Sequence, residues 1–297
     1  MRESDASGQP VALCISPHLD DAAFSCGGTL ARLVAAGWAV HVATVFTASV
    51  PNPQGFALAC QTDKGLPPDA DYMAIRRDED TVACAALDVM PHWLAFREAP
   101  HRGYDDARSL FADVHAADDE TWHEVAATLR PLVDRLAPSL LFAPQALGGH
   151  IDHRHVVRAV GALCKTARLD DVLPVAWYRD TPYVLRDRAA RPPMPLHDWS
   201  AGALGAHAVP LDEHALLVRQ TACAAYTTQL PFQFGGVAAM RAAIAGLAAT
   251  EGAGVGFAHA ERFAARPGAA TLLERVLAAQ PIATTDDPAP VTLDPPR

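Results

Sequence analysis

None of the six cysteines in this 297-residue chain stands in a CxxC pair, and several lie inside apolar stretches. That spacing supplies neither a disulfide framework nor a thiolate zinc site, and it predicts reduced, mostly buried thiols. Basic residues are in deficit. With 24 Lys and Arg against 34 Asp and Glu the formal charge is -10, a field that repels phosphate backbones and anionic lipid surfaces. No nucleic-acid or membrane partner is therefore expected. The opening MRESDASGQP lacks the apolar core of a signal peptide, and no later apolar run reaches bilayer-spanning length, so a soluble cytoplasmic protein is the expectation. At Gly27-Gly28 neither the GxGxxG fingerprint nor a Walker GxxxxGK(S/T) pattern is formed, and close packing of helix on strand accounts for the glycines. GxSxG is absent as well, which argues against a serine α/β-hydrolase. There is no internal repeat.

What is present is an ordinary globular balance, half hydrophobic and one fifth charged, arranged as alternating strands and helices. Residues 11–16 are a short apolar run followed by polar residues, as in a buried strand that delivers its end to a surface. A helix over 24–36 and a β-rich run over 38–46 complete a βαβ unit, which implies a parallel sheet. Residues 48–70, rich in Pro and Gly, read as a loop near the mouth of a site. Helices are predicted over 71–88, 120–136, 153–165, 212–227 and 237–250, and strands over 93–96, 139–143 and 172–178. Residues 145–149 read as loop and 186–199 as a Pro- and Arg-rich surface segment. The expected organisation is a tail at 1–9, one domain over 10–280, and a Pro-rich tail at 281–297 that lies outside the core.

Two polar clusters stand at strand-to-helix junctions. SPHLDDAAFSCGG places His18, Asp20 and Asp21 after the first strand, and GGHIDHRHV places His150, Asp152, His153 and His155 after the strand at 139–143. In an open parallel sheet ligands bind beyond the carboxyl ends of the strands, and histidine with carboxylate is a common ligand set for catalytic zinc. A lone Asp-Asp after a strand is more often a helix N-cap. The second His/Asp cluster shifts the balance toward chemistry.

These motifs resemble those of the LmbE-like or PIG-L family of zinc-dependent N-deacetylases. The family's His-Pro-Asp-Asp-Glu is matched by His18-Leu19-Asp20-Asp21-Ala22, and its His-x-Asp-His by His150-Ile151-Asp152-His153. Weaker matches are Arg76 with Glu79 ahead of Leu87-Asp88-Val89, Ala225-Tyr226-Thr227-Thr228-Gln229, and Glu261-Arg262-Phe263, so the resemblance runs from about residue 10 to about residue 265. It implies an α/β, Rossmann-like three-layer fold with a mostly parallel sheet. It further implies one Zn2+, or another divalent metal, per chain on His18, Asp21 and His153. Asp20 would be the general base, and His150, as a cationic imidazole, would stabilise or protonate the tetrahedral species. Asp152 would support a zinc-site histidine. The implied activity is removal of an acyl group, acetyl above all, from an amino sugar or glycoconjugate by metal-activated water. Leu19 and Ala22 depart from the pattern, as does Gly148 where some members carry Tyr.

Other residues carry more ordinary readings. His155 is expected in a structural or surface role and His41 as a packed strand residue. Arg76 is either a contact for substrate hydroxyls or one half of an i,i+4 pair with Asp80 on a solvated helix face. Two alternatives share the fold: a metal-dependent amidase on a non-sugar N-acyl substrate, differing in the loops at 48–70, 97–108 and 179–200, and a catalytically silent binding protein. Asp20 and all three proposed ligands are present, which argues against silence.

Overall fold

The computed structural model describes residues 8–166, 173–186 and 204–278. Its seven strands form one sheet in the order β3-β2-β1-β4-β5-β7-β6. They are β1 Val11–Ser16, β2 Ala39–Thr44, β3 Met90–Trp93, β4 Leu140–Pro144, β5 Val175–Tyr178, β6 Gly205–Pro210 and β7 Ala260–Ala265. Five run parallel from β3 to β5, whereas β7 lies antiparallel between β5 and β6. The mostly parallel α/β sheet expected from the sequence is therefore present.

β1 shows why the chain folds this way. Ala12 and Cys14 face one core while Leu13 and Ile15 face the other; a strand without a polar face is stable only between two covering layers. One layer holds α1 Asp21–Ala35, α3 Tyr72–Leu87, α6 Glu213–Ala224, α8 Val237–Ala253 and α9 Pro267–Ala278, and the other holds α4 Thr121–Leu136 and α5 Ile151–Thr166. In α4 the buried residues Val125, Leu129, Leu132 and Val133 follow helical spacing, which turns one apolar stripe onto the sheet. Among the described residues no helix is long and apolar enough to cross a membrane. All six cysteines are free thiols, four of them buried.

Several boundaries differ from the sequence reading, each for a physical reason. Within the stretch read as loop, α2 Gly55–Thr62 forms, because the run FALAC is apolar enough to dock despite its Pro- and Gly-rich flanks. The strand expected at 93–96 is instead β3 at Met90–Trp93, aligned by pairing His41 with Met90; only an isolated bridge, Phe46 with Ala95, lies beyond it. α1 and α5 each begin two or three residues before their apolar periodicity does, since polar site residues fill their first turns. β6, β7, α9 and the short helix α7 Leu230–Phe234 were not anticipated. The tail at 281–297, residues 1–7 and residues 187–199 of the Pro- and Arg-rich segment lie outside the described residues.

Candidate active site

The strand order reverses between β1 and β4: from β1 the chain passes to β2 on one side, and from β4 to β5 on the other. Such a switch point leaves a crevice beyond the carboxyl ends of the two strands. His18, Asp20 and Asp21 follow β1, while His150, Asp152 and His153 follow β4, so both clusters open into that crevice. A third contribution, Asp180, comes from the end of β5.

Asp21 Oδ2 lies 3.2 Å from His18 Nδ1 and 3.2 Å from His153 Nε2. The remaining ring nitrogens face carboxylates: His18 Nε2 is 2.9 Å from Asp152 Oδ2, and His153 Nδ1 is 2.6 Å from Asp180 Oδ1. Carboxylates only accept hydrogen bonds, so the nitrogens facing Asp152 and Asp180 carry protons, and His18 Nδ1 and His153 Nε2, both beside Asp21, are the nitrogens left to bind an ion once their own protons are lost. His153 Nε2 is buried without a hydrogen-bond partner, and an orphaned buried group of this kind calls for a ligand.

His18, Asp21 and His153 bring ligand atoms close enough to hold a metal ion. Zinc–ligand bonds of about 2.0–2.1 Å at tetrahedral angles separate the ligand atoms by roughly 3.3 Å, in keeping with the 3.2 Å distances at Asp21. A second grouping, His18 with His150 and Asp152, is equally compact but chemically committed. There His18 Nε2 holds its proton for Asp152, His150 Nδ1 accepts the Asp152 backbone N–H at 3.2 Å, and Asp152 Oδ1 accepts from Arg102 at 2.7 Å. The donor set therefore fits an ion at the first grouping and not at the second.

Charge in the site follows from burial and pairing. Burial alone would raise the Asp21 carboxyl, but His153 and His18 outweigh it and hold the group well below the carboxylate range. Burial would lower both imidazoles as well. Asp152 and Asp21 instead raise His18, while Asp21 and Asp180 raise His153 to about 9. The cluster thus holds positive charge against Asp21. Asp20 behaves oppositely: burial raises it, only partly countered by Arg76 at 3.4 Å. Although Asp20 occupies the N-cap position of α1, its side chain makes no capping hydrogen bond, so the ordinary helix-cap explanation does not account for it.

His150 departs from expectation. Burial pulls its pKa down to about 3, so the ring is neutral near pH 7 rather than cationic. Because Nδ1 accepts the Asp152 N–H, the proton lies on Nε2. Arg76 departs too, since it is buried, bonds to Glu98 at 2.5 Å and stacks over Tyr72. Asp80 instead accepts from Trp93 and Tyr226, which excludes the solvated i,i+4 pair. His155 is structural, fully buried and 2.9 Å from Asp118, and His41 lies in β2 against His92 of β3.

Gly148 sits at φ +83, and a Cβ there would come within 3.1–3.3 Å of the Tyr183 side chain. The space that a side chain at 148 would take is occupied by Tyr183, whose ring centroid lies 5.3 Å from that of His153. Asp180 and Tyr183 escaped the sequence reading because RDTPY matches no local pattern. The available signal was positional: like the two recognised clusters, they follow a buried strand.

The fold is that of an α/β protein whose mostly parallel sheet carries, at its switch point, a His/Asp cluster that could hold a metal ion. Residues 13–164 match the family described as PIG-L, GlcNAc-PI de-N-acetylase, and the chain belongs to that family. It is 33% identical over 176 residues to 2'-N-acetylparomamine deacetylase of Streptomyces fradiae, a match covering 58% of this chain and 57% of that protein. The chain thus spans little more than half the length of this curated relative. Among solved structures, the zinc-inhibited form of teicoplanin deacetylase Orf2 is 26% identical with a TM-score of 0.73, covering 86% of this chain and 97% of that one. The A40926 pseudoaglycone deacetylase Dbv21 is 25% identical with a TM-score of 0.69, covering 86% and 96%.

Proposed function

We propose that this chain is a zinc-dependent N-deacetylase acting on an N-acetylated amino sugar or a glycoconjugate that carries one. The observation that carries the reading is the unpartnered, buried Nε2 of His153 beside Asp21 and His18, with Asp20 next in sequence to Asp21 and free of any capping role. His18, Asp21 and His153 would hold the ion. A bound divalent ion supplies Lewis-acid chemistry, polarising a carbonyl and acidifying water. The substrate class is supported by the relatives, whose names specify deacetylation of 2'-N-acetylparomamine, of teicoplanin and of the A40926 pseudoaglycone.

The residues divide the remaining work. Asp20, raised by burial, is suited to take a proton from attacking water and return it to the departing amine, because a base works best when its pKa approaches the working pH. His150, neutral and protonated on Nε2, is a hydrogen-bond donor for the developing oxyanion and a poor acid, so proton delivery falls to Asp20. Arg76, held by Glu98, fixes the Asp20 carboxylate from behind. Tyr183 and Phe111 wall His150, with ring centroids 6.3 Å and 5.3 Å from it.

The test is release of free amine from N-acetylglucosamine conjugates, with N-acetyl amino acids alongside, before and after chelation. Chelator-sensitive turnover of the sugars is expected. Turnover of the amino acids with none of any sugar would overturn the substrate class and leave a zinc amidase. No turnover of any amide by zinc-loaded protein would overturn the enzyme.

A further inference from the structure

Asp180 does two things at once. Its Oδ1 meets His153 Nδ1 at 2.6 Å, and its Oδ2 accepts the Leu147 backbone N–H at 3.0 Å. Both Asp180 and His153 are fully buried. Leu147 belongs to the connection between β4 and α5, in which Ala146, Gly148 and Gly149 all have positive φ; this stretch delivers His150 to the site. One carboxylate thus ties a proposed metal ligand to the loop that places the oxyanion donor.

We infer that Asp180 is a positioning residue that fixes the tautomer and direction of His153 and, through Leu147, the course of the loop leading to His150. The inference rests on the metal reading for its consequence but not for its geometry. An ionised carboxylate offers acceptors only, so it can receive Nδ1–H from the ring and N–H from Leu147 together, and it leaves Nε2 as the nitrogen that gives up its proton to bind an ion. An amide of the same shape cannot satisfy both neighbours. With its oxygen toward Leu147, its NH2 requires His153 to accept at Nδ1, which places the ring proton on Nε2, where the ion would sit. With its oxygen toward His153, NH2 confronts the Leu147 N–H. Carboxylates in this position typically account for about 10- to 100-fold in metal affinity.

The experiment compares wild type with Asp180→Asn by zinc-chelator competition, together with 15N NMR of the histidine rings in metal-free protein above pH 9, where the His153 ring, raised to about 9, keeps a single proton. Expected for Asp180→Asn is zinc binding weaker by about 10- to 100-fold and a His153 ring protonated on Nε2. In the wild type, the ring is expected to be protonated on Nδ1. A folded variant that binds zinc as tightly as wild type would overturn the inference. So would a wild-type His153 carrying its proton on Nε2, a measurement that stands even if the variant fails to fold. Failure of wild type to bind zinc at all would instead count against the proposed function, while the ring measurement would still decide the role of Asp180.

Discussion

Asp20 and Asp21 are neighbours in the chain, both buried, and differ in what surrounds them. Asp21 faces two imidazoles and is held ionised; Asp20 faces Arg76 at 3.4 Å and is raised by burial. The two should therefore separate on substitution. Asp21→Ala is expected to lower zinc content. Asp20→Asn should leave zinc bound and reduce kcat on the order of a hundred- to ten-thousand-fold, the usual worth of a positioned base. Zinc analysis beside steady-state kinetics decides it, and equal loss of metal in both variants would remove Asp20 as a base. At this scale the sequence was informative wherever site residues share a short motif: His18 with Asp21 and His150 with His153 were legible. It was silent on Asp180, Glu98 and Arg102, which reach the site from other segments, and the charge of His150 depends on burial that no motif records.

Among the elements, α1 is the one that shapes the site, and it is not a continuous helix. Cys26 has non-helical angles, φ -143 and ψ 17, and the N–H groups of Gly28 and Thr29 beyond the break are capped by the Glu261 carboxylate at 2.9 and 2.7 Å. Arg219 pairs with the same carboxylate at 3.0 Å. A buried acid of β7 thereby caps the second half of α1, as an N-cap side chain does at an ordinary helix start. The position of Gly28 follows: a Cβ there would meet Leu211 at 2.7 Å and Glu261 at 2.9 Å. Gly28→Ala is expected to cost about 1–3 kcal/mol by overpacking, read as a lowered Tm with zinc affinity of the folded protein retained. An unchanged Tm would show that Leu211 and Glu261 yield freely. From the sequence Gly27-Gly28 was expected at a helix–strand contact; Gly28 does lie against Glu261 of β7, whereas Gly27 packs against Arg219 of α6 and Leu87 of α3, and Glu261-Arg262-Phe263 was noticed without a role. β7 itself went unread because Glu261 and Arg262 break the apolar pattern of a strand; the Glu261 charge is met internally by Arg219.

In the whole molecule, two apolar cores clamp a sheet whose order reverses at β1 and β4, and the reversal is what brings two distant motifs within bonding distance. Alternating apolar strands and amphipathic helices made the layered fold legible. The antiparallel edge of β7 and β6 was not, since its short strands pair across a long separation in sequence. The acidic balance of the chain, -10 overall, does not prevent a site rich in buried charge, because buried carboxylates persist only where cations or donors meet them; here Arg76, Arg102 and the two imidazoles do so, and an ion is the partner still called for by His153. The most direct test of the account is therefore the zinc content of purified protein after equilibration with zinc and removal of the excess, for wild type and His153→Ala. One zinc retained per wild-type chain and its loss from His153→Ala are expected; full occupancy in that variant, or none in wild type, would rule out an ion held by His18, Asp21 and His153.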